Sequence, residues 1–158
     1  MPSPDQRLGH YAVGGASGLT AATINHCIGA LWNPHATKSI YVIVAALSTA
    51  AGANTRYAQR ITAKGTPGST VTPDIDNDLD RLLAPISGAV LDLAPYSVQP
   101  TLAGPDFFRF MPAQSNPGPT QELWFGEDGL RLPAGTGLGV FIGVGTATSG
   151  SLSFWWDE

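Results

Sequence analysis

Alternating aspartates form the strongest metal-binding pattern in this sequence of 158 residues. Asp74, Asp76, Asp78 and Asp80 have the spacing with which a calcium-binding EF-hand loop begins. That loop also requires a glycine at its sixth position and a bidentate glutamate at its twelfth, where this chain has a leucine and a proline. The pattern therefore excludes an EF-hand. It leaves two interpretations of the segment, a calcium site of another kind or solvated carboxylates in a turn.

The nitrogen and sulfur ligands available to a transition metal are three histidines and one cysteine: His10, His26, His35 and Cys27. Since His26 and Cys27 are adjacent, they would point to opposite faces of a strand. No second pair with Cys-x-x-Cys or His-x-x-x-His spacing completes a tetrahedral zinc site. We therefore predict no metal and no other cofactor, and we expect the histidines to lie at the surface or in an interface.

A glycine-rich segment near the C-terminus, residues 137–145, is only superficially similar to a phosphate-binding loop. Its glycines alternate with the apolar residues Leu138, Val140, Ile142 and Val144, whereas a dinucleotide-binding loop follows a strand and opens a helix. The alternation predicts a strand whose glycines let another backbone or subunit approach closely. The sequence has no Gly-x-Ser-x-Gly motif, and we do not expect the protein to be an enzyme.

Tryptophans are the remaining candidates for a binding surface, and two of the four are consecutive, Trp155 and Trp156. Consecutive residues of a strand face opposite ways, so we expect Trp156 in the core with Leu152 and Phe154. Trp155 then shares the other face with two serines. A tryptophan on such a polar face forms a subunit contact, stacks on a sugar, or is covered by a loop. Of these interpretations we favour the subunit contact.

The composition describes the framework that must position these residues. Only 13% of the residues are charged, whereas glycine and proline contribute 19 and 13 positions, which excludes a long helix or a coiled coil. An apolar content of 43% with a net charge of −4 is sufficient for a folded core, and a chain of this length is expected to form one domain. The acidic balance predicts that the protein does not bind nucleic acid.

Signals for targeting and crosslinking are weak. A single cysteine cannot form an intramolecular disulfide. The first seven residues lack the basic and apolar regions of a secretory signal, and the longest apolar run, Ile40–Leu47, is shorter than the roughly 20 residues of a membrane helix. We therefore expect a soluble protein that is synthesised in a cytoplasm and has no membrane partner.

Short apolar and β-branched runs separated by turn-forming residues indicate strands along most of the chain. The expected strands are Ser39–Leu47, Thr55–Lys64, Ala89–Leu93, Phe107–Met111, Glu122–Phe125, Leu130–Leu132, Gly137–Val144 and Ser151–Trp156. No helical period is sustained after residue 32, so we expect at most two short helical segments, near residues 20–27 and 76–83. Between Leu19 and Trp32 the spacing is ambiguous, and there we favour a helical turn that runs into a strand. Strands at this spacing predict an all-β fold, a sandwich or a barrel.

Two segments lack a regular hydrophobic period. Residues 1–18 are rich in glycine, proline and serine and are expected to form an extended N-terminal arm that is mobile or ordered by a partner. Residues 65–85 are expected to form a loop of about twenty residues, a length that is usually functional or structured by a partner. The remaining residues, 19–158, are expected to form a single domain.

Five stretches of the chain together resemble a group of small single-domain proteins encoded among the structural genes of tailed bacteriophages and prophages. They are residues 37–40, which follow a Trp-Asn-Pro turn, and residues 60–74, 87–94, 130–138 and 153–158. The resemblance extends from around residue 20 to the C-terminus. Its motifs mark a fold and a genomic setting rather than an activity.

The resemblance implies an antiparallel jelly-roll β-sandwich that serves as a virion component, most simply a decoration (cement) protein on the outer capsid surface. The expected partner is the major capsid protein, and no catalytic residue is implied. We also expect a homo-oligomer of cyclic symmetry, with a trimer favoured. Candidate contacts with a second subunit or with the capsid are Trp155, Trp124, Phe125, Arg7, His10 and Tyr11.

The alternative is a tail-associated module that binds a receptor or a carbohydrate. Trp155, Trp124 and Phe125 would then be the residues that stack on the sugar. Finding the protein in capsids stripped of their tails would distinguish the two functions.

Overall fold

The computed structural model describes residues 10–18, 26–49, 53–75, 88–111, 121–145 and 149–158. These residues form twelve strands and no helix. The strands are β1 (His10–Gly18), β2 (His26–Asn33), β3 (Ile40–Thr49), β4 (Ala53–Ala63), β5 (Ser69–Val71), β6 (Asp74–Ile75), β7 (Val90–Leu93), β8 (Thr101–Met111), β9 (Gln121–Trp124), β10 (Leu130–Leu132), β11 (Thr136–Gly145) and β12 (Ser149–Asp157). Within these ranges no helix suited to crossing a membrane is found.

The strands form two antiparallel sheets of six strands each. In the first sheet the order is β10, β3, β12, β1 and β6, and β9 also pairs with β3. Strands β10 and β9 pair with successive parts of β3, residues 40–42 and 44–47. In the second sheet the order is β5, β7, β2, β11, β4 and β8.

The pairing of the strands is nested along the chain. The first strand pairs with the last, β1 with β12, and β2 pairs with β11. Farther inward, β3 pairs with β9 and β10, and β4 pairs with β8. Strands β1 to β4 lie alternately in the first and the second sheet. The two antiparallel sheets form a sandwich-like arrangement.

The hydrophobic core combines side chains from both sheets. In β12 of the first sheet, Leu152, Phe154 and Trp156 are buried, and in β2 of the second sheet Ile28 and Leu31 belong to the same cluster. Burying a large apolar side chain stabilises a fold by about 1.5–3 kcal/mol relative to leaving it exposed. The period-2 alternation of β12 therefore directs one of its faces to the core and leaves the other face for contacts at the surface.

The all-β architecture predicted from the sequence is confirmed, and its two layers are antiparallel sheets. The predicted strands coincide with β3, β4, β7, β9, β10, β11 and β12 to within a few residues. The predicted strand Phe107–Met111 is the second half of β8. The opposite orientation of Trp155 and Trp156 is also confirmed, since Trp156 is buried and Trp155 is partly exposed.

The prediction of an extended arm over residues 1–18 is wrong for residues 10–18. They form β1, which lies between β12 and β6, and Tyr11 and Val13 alternate into the core. Glycine hides this pattern in the sequence. At Gly15 a Cβ atom would lie 2.6 Å from Cδ1 of Leu93 in the other sheet, so the space next to this core-facing position is filled by side chains of the second sheet. Residues 1–9 lie outside the described residues.

Two further expectations are corrected. His26 and Cys27, assigned to a helical turn, begin β2 because they pair with Ile142 and Phe141 of β11. The expected loop over residues 65–85 contains β5 and β6, which extend the edges of the two sheets. Residues 20–25 and 76–87 lie outside the described residues. They include the rest of the first expected helix, the second expected helix and all the alternating aspartates except Asp74.

Candidate functional site

A row of large and small side chains crosses the outer face of the first sheet. Trp155 of β12 lies opposite Val44 of β3, and Val44 lies opposite Trp124 of β9. Trp124 is exposed, and Trp155 and Val44 are partly exposed. The two tryptophan backbones are two strand spacings apart, about 9–10 Å. The indoles therefore form two walls, and the smaller Val44 lies between them.

A β-bulge in β3 determines which residue of that strand lies opposite Trp155. Trp155 pairs with Val44 and Trp156 pairs with Val42, so that Ile43 is the extra residue. The carbonyl oxygen of Ile43 accepts a hydrogen bond of 2.9 Å from the backbone N–H of Phe125. The bulge thus ties β3 to the segment that follows β9 and fixes the position of Trp124 relative to Trp155.

The row forms a groove with a volume of about 370 Å³, within the usual range for sites that bind small molecules. Besides the row itself, its lining contains Ile43, Tyr11 and Trp156 and the carboxyl-bearing residues Glu122 and Asp157. Among the lining residues that the structure describes there is no lysine, arginine or histidine. Within the described lining the two ionisable side chains are therefore both carboxyl-bearing.

The two lining carboxyl groups differ in exposure. Glu122 lies two residues before Trp124 on the same face of β9 and is exposed. Asp157 lies two residues after Trp155 in β12 and is 6% exposed. The positions of both carboxyl groups follow from strand periodicity, because each residue lies two positions from a tryptophan of this face.

Tyr11 and Trp156 pack together where the groove meets the core. They are paired across β1 and β12, and their rings are stacked with centroids 5.8 Å apart and planes inclined by 21°. Each side chain is 1% exposed. The indole nitrogen Nε1 of Trp156 is buried and has no hydrogen-bond partner in the structure. A buried N–H group without an acceptor costs a fold about 1–3 kcal/mol.

The candidate contact residues named from the sequence are only partly brought together. Trp155 and Trp124 share the groove, whereas Phe125 is partly buried and packs against the core. Tyr11 is buried within the chain, so most of its surface is already covered by its own neighbours. His10 is the first residue of β1. Its side chain, like the whole of Arg7, lies outside the described residues.

The sequence pattern did not identify Val44, Glu122 or Asp157 as members of a site. Glu122 and Asp157 could have been found from their i, i+2 relation to a tryptophan in a predicted strand. Val44 could not, because its role depends on the register of β3 with two strands that are distant in sequence.

A separate polar cluster covers the outer face of the second sheet around Asp92. Its side chain is 1% exposed, and its Oδ1 lies 3.2 Å from Nζ of Lys64 and accepts a hydrogen bond of 2.7 Å from the Thr70 hydroxyl. Oδ2 is buried and without a hydrogen-bond partner in the structure. The hydroxyl of Tyr96 donates to the carbonyl oxygen of Asp92 at 3.1 Å. The cluster thus connects β5, β7 and the residue that follows β4 with the segment that follows β7.

That segment, residues 94–100, lies over Cys27. The backbone N–H of Ala94 donates a hydrogen bond of 2.9 Å to the carbonyl oxygen of Ile28. The backbone N–H of Cys27 donates one of 2.8 Å to Oε1 of Gln99. Burial raises the pKa of the Cys27 thiol to about 12, and burial is also the main cause that raises the pKa of Tyr96. Both groups therefore remain protonated at neutral pH, and Cys27 lacks the thiolate character of a nucleophile.

His35 lies in the turn between β2 and β3, and its side chain is close to the C-terminal residue. Its Nε2 is 3.3 Å from Oε1 of Glu158, and its backbone N–H donates to Oδ1 of the buried Asn33 at 3.1 Å. Among the described residues no group of three or more His, Cys, Asp or Glu residues could hold a metal ion. His35 accordingly serves the turn between β2 and β3.

Comparison of the chain with protein-family models, with curated proteins and with solved structures gave no match.

Proposed function

We propose that the protein is a structural component of a bacteriophage virion, a capsid decoration protein with a jelly-roll fold. The observation that carries this proposal is the nested pairing of β1 with β12, β2 with β11, β3 with β9 and β4 with β8. A jelly roll is a double-sheet antiparallel fold of this kind, and it is frequent in viral capsid domains. The strands β5, β6 and β7 then extend the two sheets at their edges.

The stretches that resemble phage structural proteins belong to this framework. Residues 60–74 run from the end of β4 through β5, residues 87–94 contain β7, residues 130–138 contain β10, and residues 153–158 contain the end of β12. They lie on strands and on the turns between them. This distribution supports a shared fold.

The buried polar groups support a structural role as well. Asp92 is held by Lys64 and Thr70, and Asn33 donates hydrogen bonds of 3.0 Å to the carbonyl oxygens of Lys38 and Leu132. Each of these groups joins segments that are distant in the chain or closes a turn. Such contacts stiffen a sandwich, which is what a protein bound to a capsid lattice in many copies requires.

The expected assembly is a homotrimer that binds the major capsid protein at the outer surface of the particle. Multi-angle light scattering on the purified protein measures the first step. A mass of three chains is the expected result, and a monomer at all concentrations would refute the trimer.

Particle fractionation tests the decoration function. Phage particles whose gene for this protein has been deleted are separated into tail-less capsids and isolated tails, and purified protein is added to each fraction before sedimentation. We expect saturable binding to the capsids and none to the tails. Binding to tails alone would refute decoration and favour the tail-associated function.

A further inference from the structure

We infer that the groove between Trp124 and Trp155 binds an arginine side chain presented by a protein partner. The inference rests on the proposed function in one respect, because it takes that partner to be the major capsid protein. It adds the chemistry of the contact, in which a guanidinium group lies between two indole rings and meets a carboxylate.

The first ground is the spacing of the aromatic walls. Trp155 lies opposite Val44 and Val44 lies opposite Trp124, so the two tryptophan backbones are about 9–10 Å apart. A group that enters above Val44 is then about 5 Å from each wall. A cation is attracted to the face of an aromatic ring within about 6 Å of its centroid, and tryptophan is the ring that binds it best. The spacing therefore lets one cation contact both indoles.

The second ground is the accessible charge. Glu122 is exposed and lines the groove, two residues before Trp124 on the same face of β9. Two residues of a strand span about 6.6–6.8 Å, so a long side chain that packs on Trp124 also reaches this carboxylate. Asp157 is buried and takes part in an interaction within the chain. Glu122 therefore supplies the charge that a partner meets.

The third ground is the apolar surface at the mouth of the groove. Trp124 is 57% exposed, and Trp155, Val44 and Ile43 are partly exposed. Tryptophan and arginine are among the residue types that contribute most binding energy in protein interfaces. The volume of about 370 Å³ lies in the range that encloses a drug-sized ligand, so one long side chain fits.

The chemistry of this lining favours arginine over lysine. A guanidinium group is planar and weakly hydrated, it stacks on aromatic faces, and its fork of N–H donors matches a carboxylate. The ammonium group of lysine is compact and strongly hydrated, so it loses more hydration when it enters between two rings. Arginine can place its faces against the indoles and direct its N–H groups to Glu122.

The chain's own Arg131 does not fill the groove. It is the only arginine or lysine in the described strands of the first sheet. Arg131 pairs with Tyr41, three residues before Val44 in β3, and its Nε donates a hydrogen bond of 3.0 Å to the hydroxyl of Ser39. Since Ser39 lies beyond Tyr41, this contact holds the guanidinium on the side away from Val44.

Titration with short peptides tests the site in the absence of capsids. The probes are acetyl-Gly-Ser-X-Ser-Gly-amide peptides in which X is arginine, lysine or citrulline, and citrulline has nearly the shape of arginine without its charge. Binding to the full chain is followed by the indole N–H signal of Trp155 in NMR spectra. We expect the arginine peptide to bind at least about threefold more tightly than the citrulline peptide, with the lysine peptide between them.

Two substitutions assign the binding to the groove. Trp124→Ala should weaken binding of the arginine peptide by about threefold to thirtyfold, because one aromatic wall is lost. Glu122→Gln should weaken it by about twofold to fivefold, because an exposed ion pair is lost. Both side chains are exposed, so the melting temperature should stay within a few degrees of the wild type, which excludes unfolding as the cause.

Two variants serve as matched controls. Val98→Ala alters a side chain that is 58% exposed, against 57% for Trp124, and Val98 belongs to the segment 94–100 over the second sheet. Glu127→Gln removes one carboxylate from the turn after β9 without touching the lining. Both should bind the arginine peptide as the wild type does.

Sedimentation with capsids then tests the partner. Trp124→Ala and Glu122→Gln should weaken capsid binding by at least the factors found with the peptide, because the capsid protein presents the same side chain. The two control variants should bind capsids as the wild type does.

Three results would overturn the inference: equal binding of the arginine and citrulline peptides, equal losses in the controls, and capsid binding that Trp124→Ala leaves unchanged. A lower oligomeric mass of Trp124→Ala, without arginine binding by the wild type, would also overturn it and identify the groove as a contact between copies. Failure of the wild type to bind capsids while it binds the arginine peptide would refute the decoration function and leave the arginine site confirmed. The two failures are therefore distinguishable.

Discussion

The ion pair between Lys64 and Asp92 should be the main electrostatic support of the outer layer on the second sheet. The substitution Lys64→Met keeps the aliphatic stem and removes the charge. Asp92 then remains as a carboxylate that is 1% exposed, with Thr70 as its only other side-chain partner in the described structure. The expected result is a loss of stability and a looser segment over residues 94–100.

The magnitude follows from the exposure of the two partners. Breaking a fully buried pair costs about 3–5 kcal/mol, and an exposed pair contributes only about 0–1 kcal/mol. Here one partner is buried, whereas the Lys64 side chain is 36% exposed, so that water screens part of the interaction. We therefore expect Lys64→Met to lower the free energy of unfolding by about 2 kcal/mol.

A double-mutant cycle separates this pair from other effects. Asp92→Asn keeps the size of the side chain and the acceptor for Thr70, and should cost about 1 kcal/mol. With Asp92→Asn already present, Lys64→Met should cost little, which gives a coupling energy of about 1.5 kcal/mol. Urea unfolding followed by tryptophan fluorescence measures all four proteins, and Lys38→Met controls for the loss of an exposed lysine. A coupling below about 0.5 kcal/mol would refute the reasoning.

Three other predictions concern the core and its pH dependence. The free energy of unfolding should fall between about pH 9 and pH 12, because burial raises the pKa of the Cys27 thiol from 9.0 to about 12 and the unfolded chain loses this proton first. In thermal melts the Cys27→Ala variant should lose less stability over this pH range than the wild type. An equal loss in the two proteins would contradict this prediction. Gly137→Ala should lower the free energy of unfolding by more than about 2 kcal/mol, because its Cβ would lie 2.6 Å from a backbone oxygen of β2. In urea unfolding Gly14→Ala should lose less stability, because the nearest atom there is a side-chain hydroxyl oxygen at 3.0 Å. Phe154→Ala should lower the free energy of unfolding by about 3–5 kcal/mol, and Ser153→Ala, on the opposite face of β12, by less than about 0.5 kcal/mol. Similar losses for the two variants in urea unfolding would show that the two faces of β12 are not divided between core and surface.

Local patterns were sufficient to predict the all-β class and most of the strands. In β12 the alternation of apolar and polar residues directly indicates that Trp156 lies in the core and Trp155 outside it. The same argument failed for β1, because Gly15 stands at a core-facing position and has no side chain. A period-2 pattern is visible only where the buried positions bear side chains.

The start of β2 illustrates a second limit of local patterns. The register between β2 and β11 shifts between Val140 and Phe141, so that Gly29 and Cys27 are successive partners and Ile28 is the extra residue. Ile28 belongs to the main core, and Cys27 packs against Phe141 in the smaller cluster. A bulge reverses the faces of the residues beyond it, so the buried residues of β2 do not follow a single period-2 alternation.

The candidate site depends on information that no single segment contains. Trp124 and Trp155 were both identified from their residue type, but the groove exists because Val44 separates them in three paired strands. Register across a sheet is set by the burial of one face and by bulges, and here the bulge at Ile43 determines which residue of β3 lies between the indoles. A shift of one residue would place Ile43 or Ala45 in that position and bring the core-facing side chains of β3 to the outer face. The core that fixes the register of β3 therefore also fixes the geometry of the groove, which is why a binding site can be built on this face without a pattern of its own in the sequence.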